Sequence, residues 1–258
     1  MPDSQNQFLD LSQYYDYWDA FVRDNFTANE LCDSCRRLQI NLLPEPWWGW
    51  NNTKDTPINS VVINYNPGLG DCVQCGYVLH RRYGRNFSYR EIMPDFRLHH
   101  PQGEQWHKNR ASAIKNLIVG HDRTNTFSHL SIELYPFHSE SVENDDIEKY
   151  LKDNSDDVIK NVFEFAACAA SHIECDLLCN IVFVRISPVR FCRYLDKLNL
   201  KYEQLLETKH FACFKILNFT DEDLLKNVNF ITATGARNHF PYNEQAKDNF
   251  NEVLKRIK

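Results

Sequence analysis

Ser60-Val61-Val62-Ile63-Asn64-Tyr65-Asn66-Pro67-Gly68-Leu69-Gly70-Asp71 changes character part-way along. Residues 60–65 are β-branched and almost continuously apolar, the pattern of a strand buried on both faces. Residues 66–71 are polar, and proline and glycine break the strand. Strands covered on both faces belong to parallel sheets flanked by helices, and ligands of open parallel sheets bind beyond the carboxyl ends of the strands. Asn66-Pro67-Gly68-Leu69-Gly70 is therefore the predicted ligand loop. Asn-Pro and glycine are equally the ordinary materials of a turn, so a plain turn is the competing reading.

Outward from this strand, elements alternate. Leu11, Tyr14, Tyr15, Trp18, Phe21, Val22 and Phe26 form an apolar stripe at helical spacing over 9–26. Thr27-Ala28-Asn29-Glu30 reads as a capping box opening a second helix. Leu42 to Trp50 holds two prolines and three tryptophans, too proline-rich for a helix, and its tryptophans are expected to fill core space near the sheet. Helix is predicted over 104–118, strand over 130–135, and helix over 155–173, with Ser155 as cap and Val162, Phe165, Ala166 and Ala169 on one face. A strand over 180–186 precedes Ser187-Pro188, where proline suits the first helical turn. Strands over 211–219 and 228–233 and a helix over 242–257 complete the order. The expected fold is α/β: a three-layer α/β/α arrangement with a mostly parallel central sheet of about four to five strands. Without a repeat or flexible linker, 1–258 reads as one domain, with 1–43 a helical amino-terminal extension and 44–258 the core.

Hydrophobic residues make up 43% of 258 residues and aromatics 13%, enough for a substantial core and against disorder. No apolar run approaches the roughly 18–20 residues that span a bilayer, and the amino end lacks the basic and apolar regions of a signal peptide. A cytoplasmic protein that engages no membrane is expected. Nine cysteines then read as mostly reduced thiols, and triplets such as Asn86-Phe87-Ser88 as chance glycosylation matches. The net charge of −6 argues against sequence-indifferent coating of DNA while leaving room for a local basic groove.

Two further loops follow predicted parallel strands: Tyr135-Pro136-Phe137-His138-Ser139, and Thr234-Gly235-Ala236-Arg237-Asn238-His239. Each alone reads as a turn. Together with residues 66–71 they would form one polar edge, with Tyr135, His138, Ser139, Arg237, Asn238 and His239 lining it.

Ile63-Asn64-Tyr65-Asn66-Pro67-Gly68-Leu69 resembles the first active-site motif of the uracil-DNA glycosylase superfamily, closest to its mismatch-specific uracil and thymine type. Pro44-Glu45-Pro46 with Gly49, followed by this strand and by Glu133-Leu134-Tyr135-Pro136-Phe137-His138-Ser139, also resembles an uncharacterised bacterial branch associated with that fold. The resemblance implies that Asn66 holds the attacking water. Asn64, Tyr65, Pro67, Gly68, Leu69 and Gly70 would approach the base, and the Gly68 and Leu69 amides would stabilise its anion. Asp71 is a further carboxylate on this loop that could serve as a base, or simply be solvated. Two departures stand out: Asn64 occupies the motif's usual leading glycine, and Arg237-Asn238-His239 replaces the His-Pro-Ser or Asn-Pro-Ser that grips the DNA backbone. They bear on duplex binding and base flipping more than on the fold.

Cys32-Asp33-Ser34-Cys35 and Cys72-Val73-Gln74-Cys75 are two CxxC pairs that could hold zinc or an iron–sulfur cluster. Their separation exceeds the usual zinc-ribbon gap of about 15–20 residues, and structural thiols with no cofactor are the favoured reading. His99, His100 and His107 lack a partner at fixed spacing and read as a solvated loop. Residues 81–90 interleave arginine with aromatics, either a single-strand-binding surface or an exposed turn. Two functions follow: hydrolysis of an N-glycosidic bond in nucleic acid or a nucleotide, or non-catalytic sensing of a nucleotide or modified base by the same pocket.

Overall fold

The computed structural model describes residues 12–25, 47–48, 58–65, 88–89, 109, 111–118, 129–134, 156–173, 177–218, 227–233 and 243–258. In chain order the named elements are α1 (Ser12–Asn25), β1 (Trp47–Trp48), β2 (Ser60–Asn64), β3 (His129–Glu133), α2 (Asp156–Ser171), β4 (Ile181–Val184), α3 (Pro188–Lys197), β5 (Tyr202–Glu207), β6 (Phe211–Ile216), β7 (Asn229–Ala233) and α4 (Glu244–Ile257). Residues 111–117 are also helical, within the predicted 104–118. The capping box at 27–30 and the Ser155 cap lie outside the described residues.

Among the described residues seven strands form one sheet in the order β1-β3-β2-β4-β7-β6-β5. Its centre is parallel, β2 pairing with β3 and β4, and β4 with β7. Its flanks are antiparallel: β1 on β3, and β7-β6-β5 on the other side. The α/β class stands, but the sheet is mixed and larger than the mostly parallel four to five strands expected. The reason is connection length. Only residues 208–210 separate β5 from β6, whereas a parallel crossover needs a dozen or more residues. Thr208 closes this hairpin, its amide donating to the Phe211 carbonyl at 2.7 Å and its Oγ1 accepting from the Phe211 amide at 3.0 Å.

The sequence reading also missed β5 and β1. Strand β5 alternates poorly because its register slips between Gln204 and Leu206, and all six of its residues are partly buried or exposed. A bulged edge strand loses the period-2 signal on which recognition rests. Strand β1, two tryptophans long, is too short to carry any period.

Ring contacts assign helices to faces. Phe230 and Phe214 are register partners on one face, where Phe163 of α2 and Phe191 of α3 meet them at 5.3–5.8 Å. Phe183 and Phe211 occupy the opposite face by alternation and both contact Phe250 of α4 at 5.8 Å. Helices thus cover both faces, and every residue of β2, β3, β4 and β7 is buried. The buried face of α2 is rich in alanine (Ala166, Ala167, Ala169, Ala170), which lets its backbone lie close to the sheet. Tyr14 of α1 stacks on Phe165 of α2 with centroids 3.6 Å apart, attaching the amino-terminal helix to this layer. Each fully buried Val, Ile or Phe contributes about 1.5–3 kcal/mol.

Local signals set the joints. Asn180 takes a left-handed conformation, φ 61°, tolerated by asparagine, and donates its amide to Ala170 as the chain turns from α2 into β4. Ser187 caps α3 with Pro188 in the first turn, as the sequence predicts, and Asn243 caps α4 through a 2.8 Å bond from the Ala246 amide.

Candidate functional site

Strands β2, β3, β4 and β7 run in the same direction, so their carboxyl ends share one edge. The chain leaving β2 passes to β3 on one side, and the chain leaving β4 passes toward β7 on the other. The connections diverge between β2 and β4, the switch point at which open α/β sheets bind ligands. Asn64 and Tyr65 stand at the end of β2, and Arg185, Ser187 and Arg190 follow β4.

A polar chain runs through the sheet toward this edge. By register Ser60, Val62 and Asn64 share a face with His129, Ser131 and Glu133 of β3. Ser60 Oγ lies 2.9 Å from His129 Nδ1, and His129 Nε2 lies 3.4 Å from Ser131 Oγ. Asn64 Nδ2 donates to Ser131 Oγ at 2.6 Å and to Glu133 Oε1 at 3.0 Å. Its Oδ1 accepts from Arg185 Nη1 at 3.3 Å. These three contacts fix the amide: a flip would set Oδ1 against the carboxylate and Nδ2 against the guanidinium. Asn64 and Glu133 are both 1% exposed and lie in the interior, while Arg185 is half-buried.

Charge inside the sheet is expensive unless partnered. Burial pulls the Arg185 guanidinium down to about 10, and the Glu133 carboxylate acts in the opposite direction. Arg185 therefore remains cationic at neutral pH. Burial also pushes the Tyr14 phenol up, with Tyr17 and Glu133 adding to the effect. A second cation lies close by: Arg190 in the first turn of α3 sits 5.7 Å over the half-buried Tyr65 ring, a cation–π contact.

Of the residues singled out from sequence, Asn64 and Tyr65 are described. Asn64 serves the framework, its amide engaged by Ser131, Glu133 and Arg185. Tyr65 forms a surface beside Arg190. Asn66, Pro67, Gly68, Leu69, Gly70, Asp71, Tyr135, His138, Ser139, Arg237, Asn238 and His239 lie outside the described residues. The strands leading to them, β2, β3 and β7, finish at the common edge. Sequence reading missed His129, Ser131, Arg185 and Arg190 as site components and gave Glu133 no role. The signal was available: Ser60 and Asn64 in one apolar strand, and Ser131 and Glu133 in another, recur at spacings that put each pair on one face.

Cys32, Cys35, Cys72 and Cys75 also lie outside the described residues. Among the described residues no group of three or more His, Cys, Asp or Glu side chains could hold a metal ion. No described helix is long and apolar enough to cross a membrane.

Comparison with protein-family models, with curated proteins and with solved structures gives no match in any of the three.

Proposed function

We propose that the switch-point edge binds a nucleobase carried on nucleic acid or a nucleotide and hydrolyses its N-glycosidic bond, as the resemblance to the uracil-DNA glycosylase superfamily implies. The observation that carries this reading is the Glu133–Asn64–Arg185 bridge, which anchors the end of β2 two residues before Asn66 and sets a half-buried cation beside that strand end. A loop that must hold a water against a sugar carbon needs a rigid root, because misplacement by about 1 Å can lower a rate about 100-fold.

In the proposed reaction the Asn66 amide holds a water on the ring face opposite the base. The bond from the sugar's anomeric carbon to the base nitrogen breaks, and its electron pair leaves with the base. The water oxygen bonds to that carbon, and its proton passes to Asp71 and on to solvent or the departing base. Arg185 and the loop amides favour the anionic leaving group. Arg190 and Tyr65 offer a cation and an aromatic face, a combination suited to nucleotides. No zinc or cluster enters this scheme.

The test incubates the full chain with uracil- and hypoxanthine-containing oligonucleotides and the matching nucleotides, beside Asn66→Ala. Base release lost in that variant is the expected result. Binding without release in the parent chain would favour the sensing alternative, which the net charge of −6 also suits. Neither release nor binding would reject both.

A further inference from the structure

At the opposite end of the sheet, the amino ends of β4 and β7 open into a cavity of about 540 Å³. Register aligns its floor. Ile181 pairs with Asn229, Asn229 with Lys215, and Lys215 with Glu203, so these four residues from four adjacent strands form one transverse row on one face. The last turn of α4 contributes Arg256 and Lys258, and Leu205 and Leu177 add apolar wall.

The charges in this cavity do not balance. Two cationic side chains, Lys215 and Arg256, meet one side-chain carboxylate, Glu203. Although Glu203 stands opposite Lys215 in the ladder, no ion pair joins them. Lys215 is half-buried, yet among the described residues its ammonium makes no hydrogen bond or ion pair, and the Arg256 guanidinium makes none either. Surface lysines and arginines can point into solvent at no penalty. A half-buried lysine on the floor of a concave site, with an arginine on the rim, raises the local potential in a region of reduced screening.

We propose that this cavity binds an organic phosphate, a phosphomonoester whose dianionic head sits between Lys215 and Arg256 and whose body lies against Ile181, Leu177 and Leu205. A phosphate carries about −1.5 to −2 charges near neutral pH, matching the two cations, Lys215 and Arg256, between which it sits, where a single carboxylate would neutralise only one of them. The volume lies within the roughly 300–1,000 Å³ of small-molecule sites, well above what inorganic phosphate needs. The side-chain amides of Asn180 and Asn227 on the rim supply neutral polar groups for the body. This site lies at the far end of the strands from Asn64 and Arg185, and it stands whether or not the other edge is a glycosylase.

The experiment is calorimetric titration of the full chain with phenyl phosphate, benzoate and inorganic phosphate, repeated with Lys215→Gln and Arg256→Gln. Phenyl phosphate is expected to bind at least tenfold tighter than either other probe, to weaken as salt rises, and to lose at least tenfold in each variant. Arg256 is exposed in the last turn of α4, so Arg256→Gln keeps the test valid should Lys215→Gln disturb the sheet. No binding of phenyl phosphate, or binding unchanged in both variants, would overturn the proposal. Benzoate binding as tightly would overturn the dianion assignment, and inorganic phosphate binding as tightly would overturn the organic body.

Discussion

Arg185 donates from Nη1 to Asn64 Oδ1 at 3.3 Å, joining the ends of two parallel strands at the point where their outgoing connections diverge. The backbone repeats the link, since the Arg185 amide donates to the Ile63 carbonyl at 2.8 Å. The same asparagine reaches Glu133 on the other side, so one neutral amide bonds both a buried carboxyl group and a half-buried guanidinium. Burial of a charge is costly unless it is partnered, and Asn64 gives each of these two groups a hydrogen bond.

Asn64→Leu is therefore expected to destabilise the fold by about 3 kcal/mol, because it removes polar partners from groups that stay buried. Urea denaturation gives the value. In a double-mutant cycle, Asn64→Ala and Arg185→Ala should couple by about 1–2 kcal/mol. Strict additivity would show that the 3.3 Å contact contributes nothing.

Cys213, fully buried in β6, supplies an alkaline signature. Burial pushes its thiol from the ordinary value near 9 up to about 12. The folded chain keeps this proton while the unfolded chain loses it, so the unfolded state binds fewer protons above pH 9. The stability contribution is complete below pH 9 and falls as pH rises toward 12. Between pH 8 and 10 the loss from this group should be about 1.4 kcal/mol. Cys213→Val is expected to show a pH 8-to-10 drop smaller by about that amount in urea melts, and an equal drop in both proteins would reject the assignment.

The packing of α3 makes a third test. Phe191 is fully buried and meets Phe163, Phe214 and Phe230, so it joins two helices to two strands. Phe191→Ala should destabilise by about 3–5 kcal/mol, and Phe191→Leu by distinctly less because most of the volume stays filled. Equal losses would mean that the site collapses around either residue.

These elements also show what a sequence can convey. Strand β2 was legible because both its faces are buried, which leaves an unbroken apolar run over Val61, Val62 and Ile63. The start of α3 was legible because Ser187 and Pro188 are local signals. Sheet direction was harder: parallel or antiparallel pairing is set by connection length and tertiary placement, and a missed β5 hid the short hairpin that fixes it. The Asn64–Glu133–Arg185 bridge draws on β2, β3 and the residue that follows β4, as far as 121 apart in sequence, a relation that no local pattern encodes. What the sequence did show was two polar residues where apolar ones would be expected, at positions that the register later placed side by side.

Arg190 separates a ligand-facing role from a framework role. Its backbone amide bonds the Ser187 cap at 3.5 Å, while its guanidinium lies over Tyr65. Arg190→Ala keeps the amide and a good helix former in the first turn, so stability should change by no more than about 1 kcal/mol. If the switch-point edge holds a nucleotide or nucleic acid, the same substitution should weaken binding of a single-stranded uracil-containing oligonucleotide. Because it removes one phosphate-neutralising cation, the slope of log affinity against log salt should become shallower by about 0.7. Tyr65→Leu, by contrast, should weaken binding with the salt slope unchanged, since it removes a stacking surface and no charge. Fluorescence anisotropy at several salt concentrations distinguishes the two. If Arg190→Ala leaves both affinity and slope unaltered while the parent chain binds, the ligand contacts a different part of the edge, and the Tyr65–Arg190 pair belongs to the packing of α3 alone.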